Sequence, residues 1–234
     1  MPSAAYAALG MAHESPTKSS AAPGPHQGQP VLRAGAASGE ARAAVLLLHG
    51  RGADAEDILG LAEPLWQPGV AYLAPQAAGH TWYPYSFLAP LEANEPWLSS
   101  ALARIGELIA DFAAEGLPAE RVLLAGFSQG ACLTLEYAGR HARRYGGIVA
   151  FTGGLIGPPG TPRDYLGSFD GTPAFIGAGD PDPHVPWSRV EESAAALTRM
   201  GAEVEVARYP GLGHAIAEDE LAHAREILAR ITAG

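Results

Sequence analysis

Residues 122–138 read VLLAGFSQGACLTLEYA and change character abruptly in the middle. The run Val122–Phe127 is apolar and typical of a buried strand, whereas Leu133, Leu135 and Tyr137 follow at the start of a helical pattern. Between them, Gly126 to Gly130 fit G-x-S-x-G, a sharp strand-to-helix turn that exposes a serine hydroxyl above a sheet. The stretch therefore predicts a strand, a tight turn and a helix, with Ser128 at the turn.

The rest of the chain alternates short β-rich runs with Ala-rich helical segments. Predicted strands span 43–49, 70–75, 122–127, 147–151, 173–178 and 203–209, and predicted helices span 55–65, 98–115, 129–144, 188–200 and 218–231. Such alternation indicates βαβ units. We predict an α/β fold with a mostly parallel central sheet, helices on both faces and no large lid domain.

Domain organisation follows from composition and length. Residues 1–30 are rich in Ala, Pro, Ser, Gly and Gln without a sustained apolar period, which predicts a flexible leader. Residues 31–234 are then one domain. No basic start precedes a long apolar core, so we expect a cytoplasmic protein without a secretory signal.

The charge and cysteine content exclude several classes of function. A formal charge of −10 argues against nucleic acid and anionic membranes as partners, and no apolar stretch is long enough to cross a bilayer. Cys132 is the only cysteine, which excludes an internal disulfide and a cysteine-rich metal site. A small molecule is the expected partner, and no metal or cofactor is expected.

A serine nucleophile needs a histidine base and usually a carboxylate that orients it, in the chain order Ser, acid, His for this type of turn. Among the histidines after Ser128, His214 lies in a Gly-rich loop after the last strand and is favoured over His184. Asp180 and Asp182 both follow a strand end, and their spacing does not choose between them.

Two backbone N–H groups should stabilise the oxyanion. Gln129 supplies one because it directly follows the nucleophile. The other is expected from the Gly-rich loop at residues 49–52, which follows the first strong strand; the alternative is an ordinary strand-to-helix turn.

The longest irregular piece, residues 76–96, is rich in aromatic side chains. Trp82, Tyr83 and Phe87 are predicted to line a substrate pocket, although packing that holds the loop down is an equal explanation. The Arg51 side chain is a further pocket candidate, since a guanidinium pairs well with an acidic group on a substrate, and a surface arginine is the alternative.

Four motifs in order, LLLHGRGA, LAGFSQGA, GDPDPHVP and YPGLGHAI, resemble the phospholipase/carboxylesterase family of α/β-hydrolases. The resemblance covers about Pro30 to the C-terminus. It implies that Asp182 is the acid and His214 the base, and that the N–H groups of Arg51 and Gln129 form the oxyanion hole. It also implies that small hydrolases of this kind often pair as homodimers.

The first motif and the segment TWYPYSF resemble the bacterial carboxylesterase branch more than the eukaryotic acyl-protein thioesterases, which have HGLGD where this chain has HGRGA. This branch is sometimes labelled dienelactone hydrolase-like. Because true dienelactone hydrolases have cysteine at the position of Ser128, the serine argues against their chemistry. We therefore predict a serine carboxylesterase for short to medium acyl or small aromatic esters. A thioesterase or lysophospholipase with the same triad is one alternative, and a catalytically silent binding protein is another.

Overall fold

A computed structural model describes residues 12–14, 24–37 and 39–233 of the 234-residue chain. Eight strands occur in these residues and form one sheet. They are β1 (Ala12–Glu14), β2 (Val31–Gly35), β3 (Ala43–Leu48), β4 (Val70–Pro75), β5 (Val122–Phe127), β6 (Gly147–Phe151), β7 (Pro173–Asp180) and β8 (Glu203–Pro210).

The strand order is β1-β2-β4-β3-β5-β6-β7-β8. Strand β2 runs antiparallel to β1 and β4, and the remaining pairs are parallel. The carboxyl ends of the six parallel strands, β3 to β8, therefore meet at one edge of the sheet, where loops of α/β sheets carry functional groups.

Five α-helices cover the sheet within the described residues. They are α1 (Ala55–Leu59), α2 (Trp97–Ala114), α3 (Gln129–Arg140), α4 (Trp187–Arg199) and α5 (Glu218–Ala233). Helices α2, α3 and α4 pack on one face of the sheet, and α1 and α5 pack on the other. The predicted α/β architecture is confirmed.

The central strands are apolar throughout because both of their faces are covered. Leu46 and Leu48 of β3 face the larger cluster with α2, α3 and α4, whereas Val45 and Leu47 face the cluster with α1 and α5. Side chains alternate between the two sides of a strand, so a strand buried on both sides needs a continuous apolar run. Edge strand β8 is partly exposed along its length, in agreement with its alternating sequence.

The structure differs from the predicted N-terminal boundary in the residues that it describes. Strand β2 had not been predicted, and Ala12–Glu14, inside the predicted leader, pair with it as β1. His26, also in the predicted leader, is fully buried and accepts a bond from the Ala78 backbone N–H, 3.2 Å away. The packed part of the chain therefore begins before residue 31, and the rest of the leader prediction lies outside the described residues.

Helix lengths also differ. The helix predicted over 55–65 ends at Leu59 and continues as a short 3₁₀ turn, Gly60–Ala62. The helix predicted over 129–144 ends at Arg140, because the chain must turn back towards β6 and Tyr145 bonds the His141 carbonyl there. None of the described helices combines the length and apolar character of a bilayer span.

Candidate active site

The turn after β5 holds Ser128 in a strained backbone conformation. Its φ of 55° and ψ of −115° lie where side-chain-bearing residues are rare. Hydrogen bonds hold the turn on both sides, since the Ser128 N–H donates to the Phe151 carbonyl at 3.0 Å and the Cys132 N–H donates to the Ser128 carbonyl at 3.0 Å. Strand β5 thus lifts the serine above the carboxyl edge of the sheet.

The two glycines of the turn have a steric reason. A Cβ on Gly126 would lie 2.5 Å from the Gly130 carbonyl, and a Cβ on Gly130 would lie 2.0 Å from the Leu48 carbonyl oxygen of β3. Only glycine lets α3 begin this close to β3 and β5.

Ser128, His214 and Asp182 form one hydrogen-bonded chain. His214 Nε2 lies 2.8 Å from Ser128 Oγ, and His214 Nδ1 lies 2.8 Å from Asp182 Oδ2. The Asp182 side chain is fully buried, and its Oδ1 accepts the backbone N–H groups of His184 and Val185 at 2.7 and 2.8 Å. A carboxylate held in this way fixes the imidazole with a proton on Nδ1 and a lone pair on Nε2 facing the serine.

His214 is positioned by glycines in its own loop. Gly211 and Gly213 have φ values of 78° and 73°, and a Cβ on Gly179 of β7 would lie 2.0 Å from the Gly213 carbonyl oxygen. The Thr152 hydroxyl donates to the Ala215 carbonyl at 3.3 Å, next to His214. The loop therefore lies directly on the end of β7.

The competing candidates make other contacts. Asp180 pairs with Arg208, an exposed residue of edge strand β8, rather than with a histidine. The His184 ring makes an edge-on contact with His214, with 4.8 Å between centroids, and occupies the rim of the cleft. His223 stacks on Phe175 away from Ser128.

The loop after β3 approaches the serine, as the oxyanion prediction requires. A Cβ on Gly50 would lie 3.5 Å from Ser128 Cβ. The Gly52 N–H donates to the His80 carbonyl at 2.8 Å, which ties the loop to the aromatic segment. Gln129 is the first residue of α3, so its N–H is among those a helix leaves without an intrahelical partner.

The side chains of Arg51 and Gln129 make contacts that the sequence did not reveal. Gln129 is buried; its Oε1 accepts the Trp82 N–H at 2.9 Å, and its Nε2 donates to the Tyr83 carbonyl at 2.8 Å. The Arg51 guanidinium donates to the carbonyls of Pro84 and Tyr85 at 2.9 and 2.6 Å. Arg51 is exposed at the cleft, and its guanidinium anchors the aromatic segment.

Trp82 does not line the pocket, which corrects the prediction. It is fully buried, and its Nε1 donates to the His49 carbonyl at 2.9 Å between the rings of His49 and His26. Burial lowers the pKa of both His26 and His49, which keeps them neutral. The aromatic segment is thus fastened to the core through Trp82.

Tyr83 and Phe87 do line the cleft, which has a volume of about 720 Å³ and also contains Ser128 and His214. Its floor includes Cys132, which lies one turn after the serine; burial raises the pKa of this thiol to about 12, so it stays protonated. None of the residues that line the cleft is Asp or Glu. Within the described residues, no group of three or more His, Cys, Asp or Glu is placed to hold a metal ion.

The sequence matches the model of one protein family, and the fold matches a solved structure of the same family. The model of the family described as Phospholipase/Carboxylesterase matches residues 32–232. A crystal structure of a phospholipase/carboxylesterase from Dyadobacter fermentans is 50% identical, with a TM-score of 0.83 over 86% of this chain and 96% of that one.

Curated relatives are more distant. Acyl-protein thioesterase 1 of Debaryomyces hansenii is 30% identical over 48% of this chain and 49% of its own length. Acyl-protein thioesterase 1 of Eremothecium gossypii is 27% identical over 79% of this chain and 86% of its own length. The chain spans about half the length of the first curated relatives that it matches.

Proposed function

Because this chain belongs to the phospholipase/carboxylesterase family, we propose that it is a serine carboxylesterase. In this proposal it hydrolyses short to medium acyl or small aromatic carboxylic esters through Ser128, His214 and Asp182. The observation that carries the proposal is the pair of 2.8 Å contacts that join Ser128 Oγ to His214 Nε2 and His214 Nδ1 to Asp182 Oδ2.

The chemistry of the first half-reaction follows from that chain of bonds. Ser128 Oγ attacks the ester carbonyl carbon while His214 Nε2 takes the hydroxyl proton. Asp182 stabilises the resulting imidazolium and keeps its own charge. The tetrahedral intermediate collapses when His214 returns the proton to the leaving alcohol oxygen, which leaves an acyl-enzyme on Ser128.

The second half-reaction uses the same groups. Water loses a proton to His214 Nε2 as its oxygen attacks the acyl carbonyl, and the proton returns to Ser128 Oγ when the acid leaves. In both intermediates the negative oxygen is held by the N–H groups of Arg51 and Gln129. No cofactor takes part in any of these steps.

The cleft supports small or medium substrates. Its volume of about 720 Å³ is within the range of small-molecule sites, and its aromatic wall at Tyr83 and Phe87 suits acyl or aryl groups. The absence of Asp and Glu from the lining residues also suits esters that carry no positive charge.

A thioesterase is the second candidate, favoured by the relatives named acyl-protein thioesterase 1. The same serine chemistry cleaves an oxygen ester or a thioester, so the triad does not separate the two. The cleft and its lining residues are the features on which the choice depends.

The deciding experiment compares the wild type with Ser128→Ala on p-nitrophenyl esters of increasing acyl length, an acyl thioester and a lysophospholipid. We expect turnover of the oxygen esters and a loss of about 10⁴-fold or more in the variant, because the nucleophile is gone. Ser188→Ala, on the exposed start of α4, is the matched control.

Equal rates for the wild type and Ser128→Ala would contradict the mechanism. Faster turnover of the thioester than of every oxygen ester would support the second candidate. Failure of a fluorophosphonate to label Ser128, with no turnover, would identify a silent binding protein.

A further inference from the structure

The hydroxyl of Thr81 lies between the side chains of the two residues whose N–H groups form the proposed oxyanion hole. Arg51 Nη1 donates to Thr81 Oγ1 at 3.0 Å, and Gln129 Nε2 donates to it at 3.2 Å. Thr81 is thus a direct bridge between the loop after β3 and the turn after β5. Thr81 had no predicted role, although it is the first residue of the segment TWYPYSF.

The bonding capacity of the hydroxyl is filled by these contacts. A threonine hydroxyl has one proton and two lone pairs. The Gln129 amide is oriented by the Trp82 N–H on Oε1 and the Tyr83 carbonyl on Nε2, so its Nε2 is a donor towards Thr81. Thr81 then accepts from Arg51 and Gln129, and its one proton goes to the nearer acceptor, the Tyr83 carbonyl at 2.9 Å, rather than to Gln129 Oε1 at 3.2 Å.

The bridge matters because the two N–H groups come from separate elements. Arg51 follows β3 and Gln129 follows β5, and these neighbouring strands end at different loops. The loop with Arg51 is glycine-rich, and its Gly52 N–H donates to the carbonyl of His80, the residue before Thr81, at 2.8 Å. A contact that spans both loops restrains the distance between them.

We propose that Thr81 is a positioning residue that holds the Arg51 and Gln129 N–H groups at the separation the oxyanion needs. The inference rests on the proposed ester hydrolysis. Thr81 does not touch the reacting atoms, and it acts through the side chains of Arg51 and Gln129. Removal of the Thr81 hydroxyl should therefore reduce the stabilisation of the transition state more than it weakens the binding of substrate.

The test uses Thr81→Val and Thr81→Ser in the full chain. Valine has nearly the same shape and suits the extended backbone of Thr81, with φ −150° and ψ 133°, so the variant removes the hydroxyl without straining the turn. Thr81→Ser keeps the hydroxyl. Thr198→Val is the matched control, since the Thr198 hydroxyl bonds the Ala194 carbonyl in α4 instead of any residue of the site.

We expect kcat for a p-nitrophenyl ester to fall about tenfold in Thr81→Val, less than the 10²–10³ lost when a whole oxyanion donor is removed, with KM changed less than about twofold. The inhibition constant of a trifluoromethyl ketone, which forms a tetrahedral oxyanion adduct on the serine, should rise by the same factor. Thr81→Ser and Thr198→Val should stay within about twofold of the wild type.

Several outcomes would overturn the inference. Wild-type kcat in Thr81→Val, a rise in KM alone, an unchanged inhibition constant, or an equal loss in Thr81→Ser would each contradict it. The Ser128→Ala variant separates this failure from failure of the proposed function. If Ser128→Ala is inactive and Thr81→Val is fully active, ester hydrolysis stands and only the role of Thr81 falls.

Discussion

At the scale of single residues, spacing along the chain left two candidates for the acid beside His214, and the resemblance implied Asp182. Asp180 is the last residue of β7 and Asp182 stands two positions later, yet their surroundings differ completely. Asp182 is buried, accepts two backbone N–H groups and contacts His214, whereas Asp180 faces the exposed Arg208. Identical side chains at neighbouring positions therefore have different chemistry because β7 ends between them.

The pair Asp182→Asn and Asp180→Asn tests this difference. In Asp182→Asn the amide oxygen would stay with the backbone N–H groups of His184 and Val185, so the NH₂ group would face His214 Nδ1 and favour the wrong imidazole tautomer. We expect kcat for ester hydrolysis to fall by about 10³–10⁴-fold in Asp182→Asn. Asp180→Asn loses an exposed ion pair and should change kcat less than about twofold.

Steady-state kinetics with a p-nitrophenyl ester measure both variants, and circular dichroism verifies that both are folded. A larger loss in Asp180→Asn than in Asp182→Asn would assign the acid to the other aspartate.

At the scale of elements, the site depends on how closely α3 approaches the sheet. The first turn of α3 passes over the end of β3, where Gly130 leaves no room for a side chain. Cys132 and the aromatic residue Tyr83 belong to the apolar cluster on this face of the sheet. The position of Ser128 is thus set by backbone contact between elements as much as by its own conformation.

We expect Gly130→Ala to destabilise the protein by about 1–3 kcal/mol or more, since its Cβ would lie 2.0 Å from the Leu48 carbonyl oxygen. Any folded fraction should label slowly with a fluorophosphonate, because α3 must move and Ser128 moves with it. Gly60→Ala is the control: its Cβ meets nothing within 4 Å and its φ is −54°.

Thermal unfolding and labelling rates are the measurements. Gly60→Ala should stay within about 1 kcal/mol of the wild type, or gain stability. A Gly130→Ala variant with the stability and labelling rate of the wild type would show that α3 tolerates a side chain there.

At the scale of the whole molecule, buried titratable groups couple stability to pH in opposite directions. Burial raises the pKa of Glu220, at the start of α5, from 4.5 to about 7. The folded state then holds more protons than the unfolded state between these values, so the free energy of unfolding falls as pH rises through this window. Burial lowers the pKa of His26 and His49, so their contribution is lost as pH falls below 6.5.

Glu220→Gln should remove the first effect. The Glu220 Oε2 accepts the Ala217 N–H at 2.7 Å, a bond that a glutamine oxygen can keep. Urea unfolding at pH 5 and pH 8 should show that the wild type loses about 2–3 kcal/mol relative to the variant over this range.

His49→Gln tests the loss of stability at low pH. The free energy of unfolding of this variant should fall less steeply than that of the wild type below pH 6.5. If the free energy of unfolding of either variant changes with pH as it does in the wild type, the pH dependence does not come from that residue.

Much of the architecture could be predicted because it depends on short-range rules. Central strands such as Val122–Phe127 were found within a residue or two, since a strand buried on both faces must be apolar at every position. Strand β2 was missed because it is short and has partly exposed positions. The 3₁₀ turn at Gly60–Ala62 was predicted as helix, since the apolar pattern continues there.

The fold class, the elbow at Ser128 and the identity of the candidate base follow from apolar runs, glycine sterics and chain order, which are local properties. The burial of Trp82, the packing of residues before 31 and the bridge from Arg51 to Gln129 through Thr81 were found only in the folded chain. These facts depend on contacts between residues far apart in the chain, such as the 48 positions from Thr81 to Gln129 and the 86 from Ser128 to His214. Folding brings such residues together through the packing of whole strands and helices, and no spacing along the chain records that distance.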